Sequence, residues 1–272
     1  MMENRETLEE LAKKGGIILL DTCAFSIPSS NRKYTKPGGT ESYPHPDNSL
    51  LDRLGTASDF SEVSIPLINR EIAHLTYLSD LITKYRGITT TKGVLAENLL
   101  SEHLESQISY FRSKSRIKKP KKVEQSMTRL RDLNSNLKKA LKKRTVPTTD
   151  CSELREFILK YDLHISNDGK YKKADFSNQE LSETDANLVS VALLTSSLKP
   201  IPTSIVTTDQ DLANIIRNFW LLKKGHILPW ERDEKLPEVL KNPQAETSVR
   251  FIDFDKSEKM NEYILLRVGS YH

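Results

Sequence analysis

Four acidic residues stand where carboxylates can work together. Asp21 ends the apolar run Ile17-Ile18-Leu19-Leu20, and Asp209 ends the run Ile205-Val206-Thr207-Thr208. Glu71 and Asp185 each open a segment with helical periodicity. A short apolar run bounded by turn residues reads as a buried parallel strand. Open α/β sheets build their sites at the carboxyl ends of such strands. Carboxylates gathered there repel one another: two like charges ~4 Å apart oppose each other by roughly 4 kcal/mol at an effective dielectric near 20. A divalent cation or a shared proton relieves that repulsion, and an all-oxygen ligand set selects Mg²⁺ or Mn²⁺ over zinc. Each acid also has a plain structural reading. Asp21 can terminate a strand, Asp209 can cap the following helix, and Asp185 and Glu71 can complement helix dipoles.

The elements that must position these acids follow from spacing. A short helix is expected over Thr7 to Lys14, then Gly15-Gly16 and a strand over Ile17 to Leu20. Ser26 to Asp47 holds four prolines and adjacent glycines and reads as loop. A short helix over Ser49 to Ala57 and a second strand over Val63 to Leu67 precede a helix from Asn69 to Tyr85. Ile72, Leu75, Leu78, Leu81 and Ile82 give that helix its apolar stripe and put Glu71 in its first turn. Helical spacing continues over Leu95 to Leu141, broken at Pro120, then Ser152 to Tyr161, with polar loop over Asn167 to Phe176. Ser182 and Asp185 form a capping arrangement before a small-residue helix, Ala186 to Leu194. A strand into Asp209, a helix from Gln210 to Phe219, and strands over Val249 to Phe254 and Tyr263 to Val268 complete the chain.

Four segments together resemble the PIN-domain family: Leu19-Leu20-Asp21-Thr22, Ile68-Asn69-Arg70-Glu71-Ile72, Ser182-Glu183-Thr184-Asp185-Ala186 and Val206-Thr207-Thr208-Asp209-Gln210-Asp211. The resemblance spans about residues 16–86 and 178–220. It implies an α/β fold, Rossmann-like, three-layer α/β/α with a mainly parallel sheet, to which this chain adds an inserted helical arm. It also implies a metal-dependent endoribonuclease that hydrolyses RNA phosphodiester bonds, with Asp21, Glu71, Asp185 and Asp209 at the family's acidic, metal-holding positions and Mg²⁺ or Mn²⁺ as cofactor. Thr22, Glu183, Thr208 and Asp211 would support those ligands from behind. The division expected is a PIN-like domain in two parts, 1–90 and 166–272, around a basic helical insertion, 91–165. The chain is longer than the family's small form, which argues against an ordinary toxin paired with an antitoxin.

Net charge is only +4, but its distribution is uneven. Between Arg112 and Arg144 lie fourteen Lys or Arg and two acids, Glu124 and Asp132. So lopsided a run lacks the opposite-sign pairs of a self-satisfied helix surface and suits phosphate. RNA is therefore the expected partner, through Arg112, Lys114, Arg116, Lys118, Lys119, Lys121, Lys122, Arg129, Arg131, Lys138, Lys139, Lys142, Lys143 and Arg144. Tyr110 and Phe111 flank the run and either stack bases or pack its root. The alternatives are a non-catalytic RNA-binding scaffold with the same fold, and a structure-specific DNA nuclease. A homo-oligomer is compatible with all of this.

Other classes find no support. Cys23 and Cys151 form no metal or redox spacing and read as reduced, buried thiols. The six histidines show no paired metal spacing. GxGxxG, Walker and GxSxG signatures are missing. No run is apolar enough for a secretory leader or a membrane span, so a cytoplasmic protein without a membrane partner is expected.

Overall fold

The computed structural model describes residues 5–26, 33–35, 42–44, 65–113, 121–144, 146, 151–167, 181–224, 236–253 and 264–272. These form a mixed α/β structure around a six-stranded sheet. Its strands are β1 (Arg5–Thr7), β2 (Ile17–Leu20), β5 (Ile88–Thr89), β6 (Thr203–Thr207), β7 (Thr247–Asp253) and β8 (Ile264–Tyr271). The spatial order is β1-β8-β7-β6-β2-β5. β5, β2, β6 and β7 run parallel, while β8 and β1 add an antiparallel edge. Val249 to Phe254 and Tyr263 to Val268 were expected as strands and lie in β7 and β8, save the ends outside the described residues.

The central strands are apolar on both faces, as a parallel sheet covered by helices requires. Leu19, Leu20, Ile205 and Val206 are fully buried. Helix α1 (Leu8–Lys13) leads into them. Thr7 caps it, its hydroxyl accepting from the Glu10 amide while the Glu10 carboxylate accepts from the Thr7 amide. Between α1 and β2 the chain turns through Gly15 and Gly16, both at positive φ (80° and 98°). Gly16 is doubly constrained, because a Cβ there would stand 2.5 Å from the Pro202 carbonyl oxygen. Ile17 N–H donates to that same oxygen at 2.9 Å, and Ile18 N–H donates to the Gly87 carbonyl at 2.9 Å. The joint fixes β2 between its two parallel neighbours.

Two expectations need correction. Of the segment Val63 to Leu67 expected as the second parallel strand, Ile65 to Leu67 instead open α2 (Ile65–Lys84), and Val63 and Ser64 lie outside the described residues. A five-residue apolar run is ambiguous by period, and here Ile65, Ile68, Ile72 and Leu75 continue one helical stripe, with Pro66 tolerated in the first turn where no N–H partner is needed. Glu71 consequently sits in the second helical turn. The strand beside β2 is instead the two-residue β5. Within Ser26 to Asp47, read as loop throughout, β3 (Lys33–Thr35) and β4 (Ser42–Pro44) pair antiparallel. The expected helix over Ser49 to Ala57 lies outside the described residues, as does all but the first residue of the Asn167 to Phe176 loop.

The remaining helices are α3 (Lys92–Glu97), α4 (Leu100–Ser113), α5 (Lys121–Lys142), α6 (Ser152–Asn167), α7 (Glu183–Leu198), α8 (Gln210–Lys223) and the short α9 (Glu238–Lys241). The basic segment does not stand apart from the sheet. Val123, Met127, Leu130, Leu137 and Leu141 of α5 are buried in the same core as α2 and the strands, with α5 packed between α2 and α4. Helix α7 packs on β6 and is buried nearly all round, from Ala186 to Leu194. Among the described residues no helix is long and apolar enough to cross a membrane.

The glycine joint yields a prediction. Gly16→Ala combines a left-handed backbone cost of about 1–2 kcal/mol with overpacking of about 1–3 kcal/mol, and should lower unfolding free energy by about 2–5 kcal/mol. A Cβ on Gly15 meets nothing within 4 Å, so Gly15→Ala should cost only the backbone share. Urea unfolding of the two variants separates the cases, and equal losses would refute the tight joint.

Candidate active site

Asp21 follows the last residue of β2 and caps a short 3-10 turn, Thr22–Phe25. It is 6% exposed. Burying a charge without a counter-ion demands hydrogen-bond donors, and three are present. Thr22 N–H donates to Oδ1 at 2.6 Å, the Thr207 hydroxyl to Oδ2 at 2.6 Å, and the Cys23 thiol to Oδ2 at 3.1 Å. The thiol remains a neutral donor: burial, and then the Asp21 charge, push its pKa up.

Thr207 ends β6, the strand beside β2, and its hydroxyl is a relay. It accepts from the Asp209 amide at 2.9 Å while it donates to Asp21. The Asp209 carboxylate in turn accepts from the Asp211 amide at 2.8 Å, turning the chain into α8. The two strand-end acids are therefore linked through one threonine.

Asp185 arrives from the opposite direction, at the amino end of α7. Ser182 is the N-cap, accepting from the Asp185 amide at 3.0 Å and donating its hydroxyl to Asp185 Oδ2 at 2.7 Å. Burial, and then the negative charges of Asp21, Asp209 and Glu97, together raise the Asp185 pKa to about 6 against the lowering effect of Ser182. Asp185 thus feels three neighbouring carboxylates at once.

Asp21 and Asp209 are joined through Thr207, Asp185 is near enough to be influenced by their charges, and Glu97 acts on it in the same way. Glu97 is exposed at the end of α3 and accepts from the Thr22 hydroxyl at 3.1 Å. Gly93, one turn earlier, allows the approach, since a Cβ there would lie 3.2 Å from the Thr184 side chain. Glu71 is placed at the other end of the 3-10 turn. It is 3% exposed, and Ser26 donates to its Oε1 at 3.3 Å. One turn on in α2, the buried His74 ring lies 3.0 Å from the Ala24 carbonyl. Burial lowers the His74 pKa to about 4, so the ring is neutral and donates. Glu71 and His74 clamp the turn that Asp21 opens.

Of the expected supporting residues, Thr22 contacts both Asp21 and Glu97, and Asp211 holds Asp209 through its amide. Glu183 is exposed. Thr208 bonds through its amide to the Cys23 sulfur at 3.0 Å, and the hydroxyl that braces the acids belongs to Thr207. Among the described residues no three His, Cys, Asp or Glu side chains stand close enough to hold a metal ion as placed. The all-carboxylate chemistry suits a hard cation, but the ligand set is not closed.

The basic run is sorted by the fold. Arg112 pairs with Glu124 at 2.6 Å, Arg131 with Glu105 and with Asp132, and Lys138 with Glu102 at 3.0 Å. Arg144 donates to the Ile82 carbonyl at the end of α2. For Arg131 and Lys138 the partners come from outside the run: Glu102 and Glu105 lie upstream on α4, across the helix pair. Lys121, Lys122, Arg129, Lys139, Lys142 and Lys143 are exposed, and Lys114, Arg116, Lys118 and Lys119 lie outside the described residues. Phe111 is buried and Tyr110 is 43% exposed, which gives Phe111 the packing role.

Both cysteines are free thiols, Cys151 buried and Cys23 half-buried. Compared with known proteins, the chain matches no family model, no curated protein and no solved structure.

The raised Asp185 pKa has a thermodynamic consequence. The folded chain retains a proton that the unfolded chain releases, between the ordinary value of 3.8 and about 6. Stability falls as pH rises through that window and stays lower above it. Asp185→Asn should therefore raise unfolding free energy by about 1–2 kcal/mol at pH 7.5, after discounting for partial solvent exposure, and by nearly nothing at pH 4. Urea titrations at both pH values test this, and a gain that does not depend on pH would count against the buried charge.

Proposed function

We propose that this chain is a metal-dependent endoribonuclease with a PIN-like, Rossmann-like three-layer α/β/α fold. The observation that carries the reading is that Asp21 and Asp209 follow neighbouring parallel strands at their carboxyl ends and are joined through Thr207, with Asp185 near enough to be influenced by both charges. Strand order supports it. From β2 the chain passes to β5 on one side and then to β6 on the other, and the crevice where an open sheet reverses in this way is its usual ligand site.

In this reading Asp21, Asp185 and Asp209 hold Mg²⁺ or Mn²⁺, with Glu97 beside them and Glu71 fixing the turn. The cation supplies an activated water and offsets charge developing on the phosphate. The chain's own residues prepare the pocket. Thr207, Thr22 and Cys23 aim the Asp21 carboxylate, leaving one of its roughly four acceptor positions open. Ser182 orients Asp185, whose proton is easily exchanged near neutral pH. Gly93 keeps α3 close enough for Glu97 to reach Thr22. A second reading, a non-catalytic RNA-binding scaffold, draws on the open spacing of the carboxylates.

The experiment is cleavage of a mixed cellular RNA pool with Mn²⁺ or Mg²⁺ by the parent chain, Asp21→Asn and Asp209→Asn. Discrete products from the parent, reduced at least ~10²-fold in each variant, are expected from loss of a charged group that stabilises the transition state. Three equally inert proteins that still bind RNA would support the scaffold instead.

A further inference from the structure

Resting on the ribonuclease reading, we propose that the outward face of α5, with the cleft along its amino-terminal half, is the track on which the sugar–phosphate backbone of a single-stranded RNA docks. The helix is 22 residues long, about 33 Å at 1.5 Å per residue. Its inner stripe, Val123, Met127, Leu130, Asn134, Leu137 and Leu141, is buried. Advancing 100° per residue puts Lys121, Gln125, Thr128, Asp132, Asn136 and Lys139 on the opposite side, with Arg129 flanking them and Lys143 just past the end.

The cations on this side differ from those already used by the fold. Arg131 and Lys138 are tied to α4 acids, and Arg144 caps α2. Lys121, Arg129, Lys139 and Lys143 are exposed. They recur along the helix at a spacing that follows an extended polyanion rather than one bound phosphate.

The cleft decides the class of polyanion. It has a volume of about 780 Å³ and is lined by Lys121, Arg129 and the hydrogen-bonding side chains Gln125, Thr128 and Asn136, room enough for a nucleotide-sized group. Glu124 and Asp132 also line it. Two carboxylates would repel a strand that offers only phosphate, whereas RNA carries a 2′-hydroxyl donor on every residue. Each carboxylate is already positioned by an arginine, Arg112 and Arg131 respectively. The track is also coupled to the acidic cluster. On the inner side of α5, Asn134 exchanges hydrogen bonds with Asn98 at 3.1 and 3.2 Å, and Asn98 directly follows Glu97.

The test uses a fluorescein-labelled 20-nucleotide RNA of mixed sequence and its 2′-deoxy counterpart, with full-length protein in EDTA. A track set (Lys121→Gln, Arg129→Gln, Lys139→Gln, Lys143→Gln) is compared with an equally charged control set (Lys13→Gln, Arg86→Gln, Lys199→Gln, Lys224→Gln). All eight residues are exposed, and unchanged thermal melting verifies folding. The expected result is Kd raised at least tenfold by the track set alone. The log–log salt slope should shrink by about 3, since each single-strand phosphate contact contributes about 0.7. RNA should bind more tightly than DNA. Equal weakening by both sets, no weakening by the track set, or a preference for DNA would overturn the assignment. Track-dependent binding by a chain that cuts no RNA with either metal would retire the ribonuclease reading and leave the track standing. RNA cleavage with binding indifferent to the track set would do the reverse.

Discussion

The hydrogen bond from Thr207 to Asp21 is the contact on which the arrangement turns. A carboxylate at the end of a central strand, almost without solvent, is costly unless its lone pairs are filled. Here the last residue of the adjacent strand fills one of them at 2.6 Å. The same threonine accepts from Asp209, so the register of β2 against β6 and the geometry of the site are one constraint. In that register Leu20 pairs with Val206, which leaves Asp21 opposite Thr207. A slip of one residue that brought Val206 opposite Asp21 would remove its donor. The glycine joint at the other end of β2 enforces the register from below, because Gly16 and Gly87 bring three strands closer than any side chain permits.

Asp185 shows the opposing tendency. Its cap with Ser182 is ordinary helix chemistry, yet it ends in a place where burial, and then three other carboxylates, disfavour its charge. The fold accepts that strain because α7 is held elsewhere, by apolar burial along its length. A stable helix thus carries an unfavourable charge to a fixed point.

Much of this was legible in the sequence. Asp21 and Asp209 were visible because strand-end acids interrupt apolar runs, and Asp185 because its capping serine precedes a small-residue helix. Glu97 was not visible. It ends a six-residue helix with no apolar stripe long enough to mark it, and only the contact of Gly93 with Thr184 brings it near. Thr207 was passed over for Thr208 because alternation in a strand says which residues share a face but not which face meets a neighbouring acid. The strand expected over Val63 to Leu67 failed for a related reason: β5 is two residues long, too short for any periodicity, so a nearby apolar run that belongs to a helix took its place.

The basic helical segment is where composition alone misled most. Fourteen cations read as one charged surface, but tertiary pairing with α4 uses part of them. What fixes α4 against α5 is a buried polar network: Asn98 with Asn134, Asn134 with Ser101 at 2.9 Å, and Ser101 with Ser135 at 3.0 Å. Apolar residues of the same size would bury without directional demands and would permit sliding by a turn. Amides that must meet in pairs allow a single register. That register sets Lys138 against the Asn98 carbonyl at 2.5 Å and so ties the end of α3, with Glu97, to the middle of α5. The basic helices and the acidic residues thus share a structural joint at Asn98, directly after Glu97.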